Sequence, residues 1–309
     1  MPPLVSVVIP VYNRTEVLPQ TLNSVRAQTH QNFEVFVVDD GSTEDIESVV
    51  KSLHDSRIDY IRLSEHTNAN VARNVGIRAA QGEYIAMLDS DDEWLPHHLE
   101  RRLQKIIEWD CDGIHGSFFI DDGATRQPAI ARSRRQSESI PDYVLSGNWA
   151  QTSSHFYRRE AVKETIWDES LARHQDYDYT IRFATRFKFL CDPEPTVIVH
   201  WKKSAARTFN FESRARFYEK YKNQLSPSVA VEYLHSQMHQ AVSFGEPPIT
   251  LAYYTSQLRS FRSVLSARFE FFLSQHPYIY FWWRNHPACH KFILLLRQLL
   301  SHRQGRRPA

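Results

Sequence analysis

Asp89, Asp91 and Asp92 stand within four residues of one another, with Ser90 between them, directly after the apolar run 84–88. Carboxylates this close repel, so a fold that gathers them at a strand end needs a cation or a cationic partner to offset the charge. The chemistry on offer is capture of a hard divalent ion. The segment Met87-Leu88-Asp89-Ser90-Asp91-Asp92-Glu93-Trp94 supplies oxygen ligands with no thiolate or imidazole, the donor set of Mg²⁺ or Mn²⁺. Such ions bind through one or two carboxylates and fill the rest of their shell with substrate phosphates and water. The same residues also fit a solvated acidic turn that caps a helix starting near Leu95-Pro96. The elements around the cluster have to decide.

Leu4-Val5-Ser6-Val7-Val8-Ile9-Pro10 is a β-branched run, and Phe33-Glu34-Val35-Phe36-Val37-Val38-Asp39-Asp40 repeats its shape. Both read as buried parallel strands. Between them, residues 15–28 place Val17, Leu18, Leu22 and Val25 on one helical stripe, completing a βαβ unit. A second crossover follows at 45–53, then a strand at 58–63, a helix over about 70–80 and the strand 84–88 that leads into the aspartates. This alternation predicts a doubly wound α/β sheet, in which ligands bind beyond the carboxyl ends of the strands. Pro10-Val11-Tyr12-Asn13-Arg14, Asp39-Asp40-Gly41-Ser42 and the 89–92 cluster would then share one rim. No G-x-G-x-x-G and no G-x-x-x-x-G-K-[ST] occurs, which argues against dinucleotide and P-loop sites. Phosphate would have to be held by a metal and arginines.

The second half is less regular. Residues 121–139 are polar, contain Arg132-Ser133-Arg134-Arg135, and read as a loop beside the site or a solvated one. His174-Gln175-Asp176-Tyr177-Asp178-Tyr179 opens a helix that turns Tyr179, Ile181, Phe183 and Ala184 toward a core, and Val197-Ile198-Val199-His200-Trp201 reads as a strand. From Ser213 onward the pattern is helical, punctuated by Pro227 and Pro247-Pro248.

Composition sets outer bounds. The 309 residues, 42% hydrophobic and 13% aromatic, suffice for a sizeable core. Cys111, Cys191 and Cys289 are scattered and lack C-x-x-C spacing, so the sequence supports no disulfide framework or zinc knuckle and a reducing compartment is expected. No secretory leader pattern precedes Pro10, and no run of about 18 apolar residues predicts a spanning helix. The net charge of +1 conceals an asymmetry: residues 251–309 carry nine Lys and Arg against Glu270 alone, net +8, whereas residues 1–250 carry 28 against 35, net −7. The acidic body argues against nucleic acid as a partner.

Four segments in order resemble the inverting family 2 glycosyltransferases of the GT-A fold. Val7-Val8-Ile9-Pro10-Val11-Tyr12-Asn13 is similar to the opening strand of that family, and Val37-Val38-Asp39-Asp40-Gly41-Ser42-Thr43 to its second. Ala72-Arg73-Asn74-Val75-Gly76 resembles the helix that follows, and 82–94 the Asp-x-Asp strand. The resemblance covers roughly residues 3 to 205, about two thirds of the chain. It implies a mixed, mostly parallel sheet flanked by helices, and transfer of a sugar from a nucleoside diphosphate to a hydroxyl with inversion.

It also implies site residues. Asp91 would be the main metal ligand, Asp89 would serve the donor ribose or the metal, and Asp92 offers an alternative contact. Asp39 would read the imide N–H of uracil or another base edge. Asp40 would support the ribose or fix the loop, and it fits a capping role as well. Arg73 would meet the base or a phosphate, while Asn74 fits helix packing. Pro10, Tyr12, Asn13, Arg14 and Ser90 complete the donor side. Asp176 would be the catalytic base: the family usually has Glu-Asp there, and this chain has Gln175-Asp176. Asp178 is the rival carboxylate, and either fits an N-cap. His200, as a further metal ligand, and Arg207 would reach the diphosphate, although a histidine in an apolar strand also fits a core role.

The expected organisation is a catalytic domain at 1–210, with a nucleotide-sugar half to about 100 and an acceptor half to 210, followed by a helical extension at 211–309. Phe269, Phe271, Phe272, Tyr278, Tyr280, Phe281, Trp282 and Trp283, interleaved with basic residues, suit the headgroup region of an anionic membrane. A helical pair folded back on the catalytic domain, or a homodimer interface, accounts for them as well. The expected activity is a metal-dependent transfer, from a UDP-sugar by preference, to a glycan or lipid-linked acceptor in surface polysaccharide or glycolipid assembly. It would take place in the cytoplasm or at the inner face of the plasma membrane. The alternatives are a sugar-1-phosphate nucleotidyltransferase, against which the lack of a glycine-rich loop at 11–14 argues, and a non-catalytic sugar-nucleotide-binding scaffold, against which Asp91 and Asp176 argue.

Overall fold

A computed structural model describes residues 2–147, 151–201 and 209–261 together with Pro277. Arg207 and the aromatic tail, and with them the membrane and dimer expectations, lie outside the described residues.

The first half follows the expected alternation: β1 (Val5–Val11), α1 (Leu18–Arg26), β2 (Phe33–Asp39), α2 (Ile46–Ser52), β3 (Ile58–Arg62), α3 (Ala69–Ala79) and β4 (Tyr84–Met87). It continues with β5 (Asp92–Trp94), α4 (His98–Glu108), β6 (Gly113–Gly116), β7 (Phe118–Asp121), β8 (Arg126–Ala129) and α5 (Ile140–Leu145). Then come β9 (Phe156–Arg158), α6 (Arg159–Lys163), α7 (Gln175–Arg186), β10 (Phe189–Asp192), β11 (Val197–His200), α8 (Phe211–Tyr221), α9 (Pro227–Ser243) and α10 (Pro248–Arg259).

Seven strands form the main sheet in the order β10-β6-β9-β4-β1-β2-β3. All its pairings are parallel except those of β9, which runs antiparallel to both β4 and β6. β1 is buried at every position because strands flank it and both faces are covered. On one face, α1 buries Leu18, Leu22 and Val25 in the same cluster as Val5, Val7 and Ile9. On the other, α3 lies so close that a Cβ at Gly76 would come within 2.4 Å of Val8 Cγ1, so only glycine fits. The register sets Val11 beside Asp39 and Asp39 beside Arg62. The chain therefore leaves β1, β2, β3 and β4 on one rim.

Several elements were not legible in the sequence. Asp92-Glu93-Trp94 is a strand, not a helix cap, and α4 begins only at His98. β5 pairs antiparallel with β11, which pairs parallel with β7, giving a second sheet in the order β5-β11-β7-β8. β5, β7 and β8, of three and four residues, are too short for alternation to register as a pattern, whereas β11 falls within the strand expected at 197–201. The polar stretch 121–139 is in part a hairpin: Asp122 receives the backbone N–H groups of Ala124 and Thr125 at its turn, and Arg132 is anchored by Glu138.

The chain divides into two compact units, residues 1–205 with 212–224, and residues 206–211 with 225–309. In the first, α8 is tied to α7 by Lys220 and Tyr221, which both donate to Asp178. In the second, α9 and α10 pack together and bury Leu234, Met238, Leu251 and Tyr254. No helix among the described residues is long and apolar enough to cross a membrane.

Candidate active site

A cleft of about 320 Å³ opens on the rim and is lined by Pro10, Val11, Tyr12 and Arg14 from the exit of β1, Asp40 after β2, and His66 after β3. Ala69 and Arg73 of α3, and Asp89, Ser90 and Asp91 after β4, complete it. Four of the five donor-side positions expected near the first strand and the acidic turn, Pro10, Tyr12, Arg14 and Ser90, thus meet in one place. The fifth, Asn13, has a left-handed backbone (φ 50°) and joins two loops. Its N–H donates to Ser42 Oγ at 2.9 Å, and its Oδ1 accepts from the N–H groups of Thr43 and Glu44.

The carboxylates separate into two kinds. Asp39 is wholly buried and fully engaged: Ser42 N–H donates to Oδ1 at 2.8 Å, while Tyr60 Oη (2.6 Å) and Arg62 Nη1 (3.1 Å) donate to Oδ2. It is not among the residues that line the cleft. Asp40 does line it, with Oδ1 held by Thr67 N–H and Oγ1 and Oδ2 facing His66 Nδ1 at 2.9 Å. Asp92 is also structural. Its Oδ2 accepts from Ser153 Oγ and Gln151 Nε2 and its Oδ1 from His200 N–H, which fastens the acidic turn to the second sheet. Burial, then the charges of Asp89 and Asp91, hold its carboxyl well above the usual carboxylate range.

Asp89 and Asp91 are left facing the cleft. Asp89 Oδ1 accepts from Arg73 Nη2 at 2.7 Å, and Asp89 N–H donates to Ser153 Oγ at 3.1 Å. Asp91 faces Arg14 Nη2 at 3.5 Å, a half-exposed pair that offsets little charge. The protein packed around Asp91, then the charge of Asp89, raise its carboxyl above the ordinary value although 40% of the side chain stays exposed. Two oxygen donors, like charges and incomplete compensation are what a hard divalent ion with phosphate co-ligands requires, so the residues present fit such an ion. No group of three or more His, Cys, Asp and Glu side chains that could hold a metal occurs among the described residues. His200 Nε2 lies 2.5 Å from Glu93 Oε1, and a ligand role would need that contact to break.

Arg73 links the donor side to the expected base. Its guanidinium lies 4.5 Å over the Trp167 ring, bonds Asn70 and Asp89, and is almost wholly buried. Asn74 is a packing residue: it exchanges hydrogen bonds with the Trp167 backbone and donates to Glu169. His174, left-handed at φ 61°, turns the chain into α7 and sets Asp176 in the first turn. Burial pushes the Asp176 carboxyl up; the Tyr177 N–H and the charge of Arg73 lower it in part, and the charge of Asp89 raises it. Asp176 is not part of the cleft lining, yet it sits within electrostatic range of two residues that are. Asp178, in contrast, is saturated by Arg182 Nε, Lys220 Nζ and Tyr221 Oη at 2.6–2.7 Å.

Two contributors have no counterpart among the expected site residues. His66 follows β3, a strand whose carboxyl end shares the rim, and the loop-after-strand rule applied there would have found it. Ser153 orients Asp89 and Asp92 together, but its short 3-10 turn left no pattern to read.

Residues 6–166, just over half the chain, match the glycosyl transferase family 2, and the chain belongs to that family. It is 34% identical over 207 residues to the amylovoran biosynthesis glycosyltransferase AmsB of Erwinia amylovora, across 63% of this chain and 69% of that one. Its fold is similar to that of TarS 1–349 from S. aureus in complex with UDP, with a TM-score of 0.58 and 21% identity over 78% of this chain and 72% of that one. A mannosyltransferase from Pyrobaculum calidifontis in complex with GDP-Man and Mn²⁺ matches with a TM-score of 0.53 and 14% identity over 92% and 88% of the two chains. At these identities the two structures speak to fold alone. The fold is the GT-A arrangement, a largely parallel central sheet flanked by helices with a helical C-terminal region.

Proposed function

We propose that this glycosyltransferase is metal-dependent and inverting, and that it moves a sugar from a UDP-sugar by preference to a hydroxyl of a glycan or lipid-linked acceptor. The carrying observation is the juxtaposition on one rim of two incompletely compensated carboxylates, Asp89 and Asp91, with Tyr12 and Arg73, next to a base candidate whose proton affinity is raised.

Asp91, with Asp89, would hold Mn²⁺ or Mg²⁺, and His200 would join only after leaving Glu93. The ion, when bound, supplies charge neutralisation to the diphosphate as it departs. Tyr12 offers a ring face, 39% exposed, for a base. Arg73, fixed by Trp167 and Asp89, places a cation between donor and acceptor sides. Asp176 takes the proton of the acceptor hydroxyl as that oxygen attacks the anomeric carbon. The bond to the diphosphate breaks on the opposite face, and its electron pair leaves with the phosphate oxygen. A raised carboxyl suits this task, because a stronger base accepts the proton more readily.

Relatives of printed function support the reading: AmsB is named for amylovoran biosynthesis, which fits surface polysaccharide or glycolipid assembly, and the two similar folds were captured with UDP and with GDP-Man and Mn²⁺. The basic, aromatic tail supports a place at the inner face of the plasma membrane, and co-flotation of the full chain with anionic liposomes tests it. The deciding experiment on function is a thermal-shift screen of UDP-, GDP-, CMP- and TDP-sugars with and without Mn²⁺. The correct donor raises the melting temperature by mass action, and more so with the ion. No stabilisation by any donor would refute the reading.

A further inference from the structure

We infer that Asn70 is a positioning residue that couples Arg73, on the donor side, to the turn that leads to Asp176; this rests on the donor and base roles proposed above. Asn70 stands in the first turn of α3 and is 1% exposed. Its Oδ1 accepts from Arg73 Nη1 at 3.2 Å, and its Nδ2 donates to the backbone carbonyls of Asp168 and Leu171, both at 2.8 Å. A guanidinium only donates and a carbonyl only accepts, so the amide fits in one orientation and both its N–H bonds are spent. Leu171 N–H donates to Asp168 O at 3.2 Å, which makes the two carbonyls parts of one turn.

Both ends of this bridge lead to the chemistry. On one side Arg73, 4% exposed, lines the cleft and donates from Nη2 to Asp89 at 2.7 Å. On the other, only Ala172, Arg173, His174 and Gln175 separate Leu171 from Asp176. Ser213 of α8 holds the middle of that span: its Oγ accepts from Arg173 N–H at 2.9 Å and donates to Arg173 O at 3.0 Å. His174 then turns left-handed into α7. So short a span passes a shift of the 168–171 turn on to Asp176, and a base must stay within hydrogen-bond reach of the proton it takes.

The neighbouring asparagines act differently. Asn68 donates to Glu169 O at 2.9 Å, and Asn74 exchanges hydrogen bonds with the Trp167 backbone, so both fasten the loop to α3. Their side chains do not bond Arg73. Asn70 is the member of the set that joins loop and cation.

Hydrogen exchange of the full chain, with and without a saturating nucleoside diphosphate (UDP, GDP or TDP) in Mn²⁺, tests this. In the wild type, binding should slow exchange at least about threefold in 87–93, around the acidic turn, and in 168–178, around the coupled turn and the base. Asn70→Asp is isosteric and keeps an acceptor for Arg73, but its carboxylate cannot donate to the two carbonyls. It should keep the slowing at 87–93 and lose that at 168–178. A purely structural role would speed exchange at 168–178 with and without nucleotide alike and leave the difference unmoved, and that result overturns the inference. If the aspartate variant does not fold, Asn70→Ala decides: the same loss at 168–178 supports the coupling, and slowing as in the wild type overturns it. Wild-type protein protected at 87–93 but not at 168–178 overturns the Asn70 inference alone, whereas wild-type protein that binds none of the three nucleotides removes the nucleotide-sugar reading with it.

Discussion

The acidic pair after β2 and the acidic turn after β4 look alike in sequence and are treated differently by the fold. Around Asp39 and Asp40 the chain brings its own donors, Ser42, Tyr60, Arg62, Thr67 and His66, until both carboxylates are engaged. Around the turn after β4, only Asp92 is satisfied in that way. Asp89 and Asp91 have one close arginine and one half-exposed one between them, and each raises the charge burden on its neighbours. The first cluster is internally hydrogen-bonded and positions the cleft, whereas the second leaves carboxylate oxygens and repelling charge for a ligand to engage. The first turn of α7 repeats the contrast at closer range, with Asp178 saturated and Asp176 not.

Substitutions can break that division. The largest effect is expected for Asp176→Asn, which should lower sugar transfer by roughly 10²–10⁴-fold, the usual range of a general base, while UDP affinity is unchanged. Transfer at the wild-type rate would remove Asp176 from the mechanism. Asp178→Asn is the companion. It should reduce stability through the Lys220 and Arg182 contacts, and wild-type transfer by the folded protein would confirm the split within α7.

Next in size is Asp91→Ala. The gain in UDP affinity that Mn²⁺ provides in the wild type, measured by titration with the ion and with a chelator, should fall by about 10–100-fold. If the variant keeps the full Mn²⁺ effect, the acidic turn after β4 is not a metal site.

Asp39→Ala probes the other cluster. Removing the acceptor strands Tyr60 Oη and the Ser42 N–H, at a cost of about 1–3 kcal/mol, read as a lower denaturant midpoint. Since Asp39 lies outside the cleft lining, donor affinity of the folded variant should stay close to wild type. A large loss of affinity at unchanged stability would return base reading to Asp39.

The smallest effect is a displaced pH profile. Asp176 must be ionised to accept a proton and its carboxyl is raised by burial, so kcat should fall as pH drops through a midpoint above the ordinary aspartate value of about 3.9. Below that midpoint the loss should be about tenfold per unit. A limb at or under the ordinary value would mean that burial does not raise the proposed base. The stability sign is opposite. A raised folded-state pKa disfavours the ionised form above the unfolded value, so Asp176→Asn should melt slightly higher than wild type near neutral pH.

The first four strands and their helices were legible because each is long enough to carry a pattern. Runs of β-branched or apolar residues ending in polar loops define buried parallel strands, and the carboxyl-end rule then gathers Pro10, Tyr12, Asp40 and Asp91, to which the family resemblance adds Arg73. Of the second sheet only β11 was legible, as the apolar run 197–201; β7 and β8 carry no clear alternation and β5 lies inside the acidic motif. Asp176 and Asp178 both fall in the first turn of α7, and the sequence did not show which of them is taken by partners.

The sequence by itself determined which residue types reach the rim and the chemistry they bring: oxygen ligands for a hard cation, an aromatic for a base, a carboxylate for a proton. The oxygen ligands follow from local spacing and chain order, and the aromatic and the proton-accepting carboxylate from the family resemblance. Only the tertiary structure decided which carboxylates are free to act. Asp39, Asp92 and Asp178 are taken by donors 21 to 108 residues away, apart from those within their own turn, loop or helix. A carboxylate's availability is set by what is packed against it in space, and nothing in the neighbouring sequence encodes that.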